Sequence, residues 1–479
     1  MDATPNKIFL GAGEDGAWLD LRYANRHGLI TGATGTGKTV TVQSLIEAFS
    51  RHGVAVVVGD VKGDLSGIAA AGSHHPGVEK RVAQLALRDF HYSANPAVFW
   101  DVFAEKGHAL RTTVSDMGPW LLGRALELSD AQEGVLHIVF KFADDEGLLL
   151  LDLKDLKAAL DHVADNGAAL RSKYGNVSAA SAGAIQRRLL MFAEQGGERF
   201  LGEPALDVAD VMRVALQGEG IVNVIAADQL LLRPQLYAMV HLWLLAELFE
   251  QLPEVGDADK PRLVVFLDEA HVMFRNATKF MLEQVEQVVR LIRSKGVGLF
   301  FITQHPNDIP DGVLRQLGNR VHHGMRAYTP QDQKAIRALV QGLPITPGLD
   351  AEKELTNLGV GEALVSLLND KGAPGPVQHV AIRPPGSRIG PLTDQERVEI
   401  MSRSPLKGVY DKVIDRHSAY ERLMERLPAS PAVGAAGRPE KTSRREEPLA
   451  AFGKSLLRSV GSALGRQLIR GVMGALKRG

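Results

Sequence analysis

The chain has 479 residues, 45% of them hydrophobic and 23% charged, with a formal net charge of -1 and no cysteine. This is the composition of a globular protein. It excludes disulfides and thiolate metal sites and confines any polyanion-binding surface to a local patch.

The N-terminal stretch MDATPNKIFLGAGEDG has no basic region followed by an apolar core, so no secretory signal is expected. Together with the missing cysteines, this makes a cytoplasmic location the expectation.

In chain order, the first predicted strand is HGLIT (27–31). It runs into GATGTGKT (32–39), a match to G-x-x-x-x-G-K-[ST], and then into the amphipathic helix TVQSLIEAFSRHG (41–53). Strand, glycine loop and helix together predict a phosphate cradle spanning Gly32, Ala33, Thr34, Gly35, Thr36, Gly37, Lys38, Thr39 and Val40. Backbone amides and the helix dipole would hold the phosphates. Lys38 would reach them, and Thr39 would ligate Mg²⁺. No N-K-x-D motif is present, which favours ATP over GTP.

VAVVVG (54–59) is the second predicted strand. Residues 80–215 then break the rhythm with mostly helical patterns and read as a helical insertion. Strands resume with IVNVIAA (221–227), and LYAMVHLWLLAELF (236–249) follows. That run is too short to span a bilayer and carries His241 and Glu247, so a buried helix is predicted.

RLVVFLDEAH (262–271) is a strand ending on two acids. Asp268 would hold the Mg²⁺ shell, and Glu269 would orient and polarise water. The helix MLEQVEQVVRLIRSKG (281–296) places Leu282, Val285, Val289 and Ile292 on one face. GLFFIT (298–303) then delivers Gln304 to the same sheet edge as the acids, where its amide could touch the γ-phosphate or the water. A hairpin is expected over 361–382.

Short apolar strands alternating with helices predict an α/β protein with a mainly parallel sheet. The expected organisation is a first part of the core (1–79), the helical insertion (80–215), a second part of the core (216–390), a helical extension (391–427), a Pro/Ala/Gly- and charge-rich linker (428–447) and a basic amphipathic tail (448–479). The tail has an apolar stripe from Leu449 to Leu476, six Lys/Arg and no acid. It reads as a docking helix, a membrane-surface helix or a DNA-binding helix.

Four segments in this order resemble the HerA/FtsK superfamily of ring-forming DNA motors: NRHGLITGATGTGKT, VVVGDVKGDLSG, LVVFLDEAH and FFITQHPNDIPDGVLRQLGNRVHHGMRAYTPQDQKAI. The chain looks most like the uncharacterised bacterial HerA-like helicase group, and the resemblance covers roughly 5–385. It implies a RecA-like core, ATP hydrolysis, hexameric rings and double-stranded DNA as the load. It also places Asp60, Lys62 and Asp64 close to the site, Arg293 as a trans arginine finger and Arg326 as a cis sensor, with Arg320 as the backup for either. The bland readings are helix-end cations for Arg290, Arg293 and Lys295, and pairing with a surface acid for Arg326.

Only 31 residues precede Gly32, too few for the β-barrel that HerA proper carries there for nuclease docking, which puts a nuclease partner in doubt. The second functional reading is an ATPase motor acting on a protein or a membrane-associated complex, as in the conjugation ATPases. RSKYGNVSAASAGAIQRR (171–188) is a candidate pore segment.

Overall fold

The structure is a computed structural model describing residues 6–13, 15–256, 258–274 and 279–426. The linker and tail expected over 428–479 lie outside the described residues.

Among the described residues, twelve strands form a single sheet: β1 (Lys7–Ala12), β2 (Gly16–Asp20), β3 (Gly28–Thr31), β4 (Ala55–Asp60), β5 (Ala97–Asp101), β6 (His108–Ala109), β7 (Val222–Ala226), β8 (Leu263–Leu267), β9 (Val297–Thr303), β10 (Asn319–His323), β11 (Glu362–Ser366) and β12 (Gln378–Ile382). Their order is β2-β1-β12-β11-β10-β3-β9-β8-β4-β7-β5-β6. From β10 to β6 every pairing is parallel. The other edge is antiparallel and contains the expected hairpin, β11–β12.

The central strands are buried on both faces, and their side chains alternate between two cores. On β8, Leu263, Val265 and Leu267 enter one core, while Val264 and Phe266 enter the other. β9 does the same with Val297, Leu299 and Phe301 against Phe300 and Ile302. The second core is closed by the helix α1 (Lys38–Arg51), whose Phe49 meets Phe266 and Phe300 edge-on at centroid distances of 6.2 and 5.8 Å.

Residues 80–215 are only partly the helical insertion expected from sequence. β5 and β6 fall within them and extend the parallel sheet, so the helical subdomain proper runs from Val114–Ala125 to Ala179–Glu194. Its core is not separate either. Leu136, Val139, Leu160 and Ile185 belong to the same buried cluster as Val57, Val265 and Leu299 of the sheet. Within the candidate pore segment, Lys173 pairs with Asp145 and Arg188 with Glu127.

The extension predicted over 391–427 contains two short helices, Asp394–Ser402 and Ala419–Glu425, with an irregular strap between them. The strap binds sheet to subdomain. Asp411 and Ser404 hold the two ring nitrogens of His108 at 2.9 and 2.7 Å. Arg416 pairs with Glu203, and Ser418 bonds Asp155.

Among the described residues, no helix is long and apolar enough to cross a membrane. The Pro234–Gln251 helix is the buried helix expected.

Candidate functional site

Because β3, β4, β8, β9 and β10 are parallel, their carboxyl ends share one edge. The loop after β3 folds back there into α1. Gly32 and Gly37 have φ of 147° and 111°, where a side chain is disfavoured. A Cβ on Gly32 would also lie 2.5 Å from the His323 Cβ. The Lys38 Nζ donates to the carbonyls of Gly32 and Ala33, at 2.5 and 3.0 Å. Burial lowers its pKa, opposed by the nearby charge of Glu269. Thr34, Gly35, Lys38, Thr39 and Val40 line a cavity together with Lys62, Asp268 and Glu269.

β9 lies between β3 and β8, pairing Thr303 with Thr31 and Phe301 with Leu267. Gln304 therefore stands between the cradle and the acidic pair. Its Nε2 donates to Glu269 Oε1 at 3.3 Å. Glu269 Oε2 lies 3.3 Å from His271 Nδ1, but that oxygen is buried with no hydrogen-bond partner among the described residues.

Burial and the adjacent Glu269 push the Asp268 carboxyl up to about 7. Asp60, buried at the end of β4, is raised to about 6 by burial and by Asp64. Desolvated carboxylates facing a lysine and a threonine hydroxyl fit a divalent cation with a phosphate ligand.

Sequence reasoning missed the wall behind the cradle. His323 is buried, which lowers its pKa to about 4 and keeps the ring neutral. The tautomer is fixed by its partners: Nδ1 donates to the Glu362 carbonyl at 2.9 Å, and Nε2 accepts from the Thr41 hydroxyl at 2.9 Å. On β10, His322 Nδ1 meets the Thr31 hydroxyl at 2.7 Å. The Ala33 amide bonds the Gly324 carbonyl, and the Gly361 amide bonds the Thr36 carbonyl, so β10 and the loop before β11 prop the cradle from behind. The doubled histidine in GNRVHHGM was the available signal.

The arginines divide. Arg320 donates to the carbonyls of Leu317, Gly342 and Leu314 in the amino half of β10. These bonds make it a strut between β10 and the segments around it. Arg326 is exposed, two residues past Gly324 on the cradle's edge. Arg293 is exposed at the amino end of β9. Seven strand residues separate it from Gln304, roughly 20 Å at ~3.3 Å per residue, so it cannot reach its own cradle.

Lys38 faces two acids across a glutamine because β9 is interleaved between β3 and β8, and that interleaving is the RecA-like arrangement of P-loop ATPases. Comparison with known proteins narrows this class. The family described as Helicase HerA-like C-terminal matches residues 7–449, and the chain belongs to it.

A solved structure of the bacterial conjugative coupling protein TrwB superposes with a TM-score of 0.51 at 14% identity, covering 81% of this chain and 92% of that one. TrwB in complex with a non-hydrolysable GTP analogue gives 0.51 at 13% identity, covering 78% and 88%. VirB4 of Thermoanaerobacter pseudethanolicus gives 0.52 at 16%, covering 80% and 97%. At these identities the likeness is one of fold. A probable helicase of Methanocaldococcus jannaschii is 28% identical over 120 residues, which is 24% of this chain and 21% of that protein. The match thus spans about a fifth of that relative's length.

Proposed function

We propose that the protein is an ATP-hydrolysing ring motor that translocates or unwinds double-stranded DNA. The observation that carries the hydrolytic reading is the Glu269–Gln304 contact, which sets an acid and an amide between the cradle and the end of β8. A phosphotransferase has less need of that second acid, whereas a hydrolase needs it to orient water.

In this reading the cradle backbone and Lys38 bind the β- and γ-phosphates, and Thr39 and Asp268 hold Mg²⁺. When bound, Mg²⁺ would supply positive charge that offsets the phosphate charge and favours ionised Asp268. Glu269 takes the proton of the attacking water. Gln304 senses the γ-phosphate and reports to the loop that follows, and Arg326 supplies a cis cation. Arg293, on the opposite edge, serves the ATP of a neighbouring subunit, which requires a ring; hexamers are the expected assembly.

Family membership supports a DNA load. The competing load is a protein or membrane-associated complex, favoured by the fold shared with a conjugative coupling protein and VirB4. Steady-state phosphate release with and without long double-stranded DNA separates the two. Stimulation is expected, with a midpoint that weakens as salt rises, because phosphate contacts release counterions. A rate indifferent to DNA at low salt would move the proposal to the second load.

Gln304→Ala should keep nucleotide binding yet lose the dependence of hydrolysis on DNA. Titration of a fluorescent nucleotide and phosphate release with and without DNA check this. If basal rate and stimulation both equal wild type, Gln304 merely ends the strand.

A further inference from the structure

Glu269 has φ of 42°, a left-handed conformation that is unusual for a residue other than glycine. Such strain persists only where neighbouring structure holds it. The peptide that links Asp268 to Glu269 is held on both sides. Its N–H donates to the Asp268 carboxylate at 2.9 Å. Its carbonyl accepts the hydroxyl of Tyr237, which comes from the Pro234–Gln251 helix, 31 residues away in sequence.

We propose that Tyr237 is a positioning residue for hydrolysis. Its hydroxyl fixes the Asp268–Glu269 peptide and so aims the Glu269 carboxylate between Gln304 and the phosphate cradle. The inference rests on the hydrolytic reading of Glu269 given above and extends it to the buried helix.

The ring itself cannot wander. Tyr237 is fully buried, and its centroid lies 4.2 Å from that of His241 one turn on. His241 is fixed in turn, since its Nδ1 bonds the Tyr237 carbonyl at 2.8 Å. The Pro234–Gln251 helix also packs against the His271–Phe274 helix, the Lys279–Ile292 helix and the first helix of the helical subdomain, Val114–Ala125. Tyr237 therefore ties the acid pair to the elements around it. A buried carbonyl deprived of its donor would turn to find another, and the strained φ would relax with it.

Tyr237→Phe removes only the hydroxyl and keeps the ring packed on His241. The experiment measures single-turnover phosphate release, binding of a fluorescent ADP with Mg²⁺, and the melting temperature, for wild type, Y237F, E269Q and the double variant. In Y237F the release rate should fall on the order of tenfold, less than the ~10²-fold that misplacing a catalytic group by 1 Å can cost. ADP affinity should be unchanged. In the E269Q background, Y237F should cause no further loss, because the hydroxyl acts through the acid.

A wild-type rate in Y237F overturns the inference and leaves the ATPase reading intact. An equal further loss in the E269Q background, or a matching loss of ADP affinity, makes Tyr237 a structural residue only. Absence of phosphate release from the wild-type protein itself overturns the hydrolytic reading and this inference with it.

Discussion

Arg293→Ala should lower ATP turnover by ~10³–10⁵-fold, the range that trans arginine fingers contribute in GTPases. The geometry excludes a role at its own site, since Arg293 precedes β9 and the cradle lies beyond the far end of that strand. Its side chain is exposed, and a guanidinium can meet γ-phosphate charge as a fork. A finger supplied by a neighbour makes activity depend on assembly, so specific activity should rise with protein concentration. Mixing supplies the decisive measurement. Arg293→Ala subunits keep an intact cradle, and Lys38→Ala subunits keep an intact finger. Neither variant alone holds both across one interface, but mixed rings do. Some phosphate release should return once the two inactive proteins exchange subunits. If exchange is demonstrated and no activity returns, while Arg293→Ala alone turns over normally, Arg293 is only a cation in the last turn of its helix.

Glu269→Gln should slow hydrolysis by ~10²–10⁴-fold, the usual contribution of a general base, with Mg·ATP binding preserved. The substitution is conservative where the structure needs it to be. Gln fits the same space, and its amide oxygen can still accept from Gln304 Nε2. What it lacks is the charge that draws a proton from water. Lys38 loses an attractive neighbour in the variant, since Glu269 favours its charged form, but the cradle backbone is untouched. Single-turnover release combined with a nucleotide titration gives the answer. Parallel losses of binding and rate would make Glu269 a metal ligand or a scaffold residue.

Continuous apolar runs made the central strands legible. HGLIT, VAVVVG, IVNVIAA, RLVVFL and GLFFIT coincide with β3, β4, β7, β8 and β9 within a residue or two, because strands buried on both faces are continuous apolar runs. β5 was not seen. Its apolar residues, AVFW, are four among irregular loops, and β6 has only two residues. The edge pair β1–β2 and the strand β10 carry too many polar or glycine positions to stand out.

At the site, Lys38, Asp268, Glu269 and Gln304 were readable because each ends or follows a run that fixes its place on one edge. The supports behind them were not. Tyr237 sits in a helix that is apolar nearly all round, so no periodicity shows which face meets Asp268. Thr41 and His323 meet across 282 positions, and nothing local in either segment announces the pair.

The core that runs without a seam from the sheet into the helical subdomain bears on how work could be extracted from ATP. Hinged domains swing because the boundary between them is wet and thinly packed. Here Val265 and Leu160 belong to one dry interior, and the strap from Ser404 to Ser418 is bolted across its outside. Prising the two halves apart would expose apolar surface at ~25 cal/mol per Å², a cost incurred on every cycle. If the protein assembles as proposed, motion would be cheaper along the faces where one copy meets the next. In the ring proposed above, the stroke would then belong to whole subunits tilting as levers, with the interior as the stiff arm.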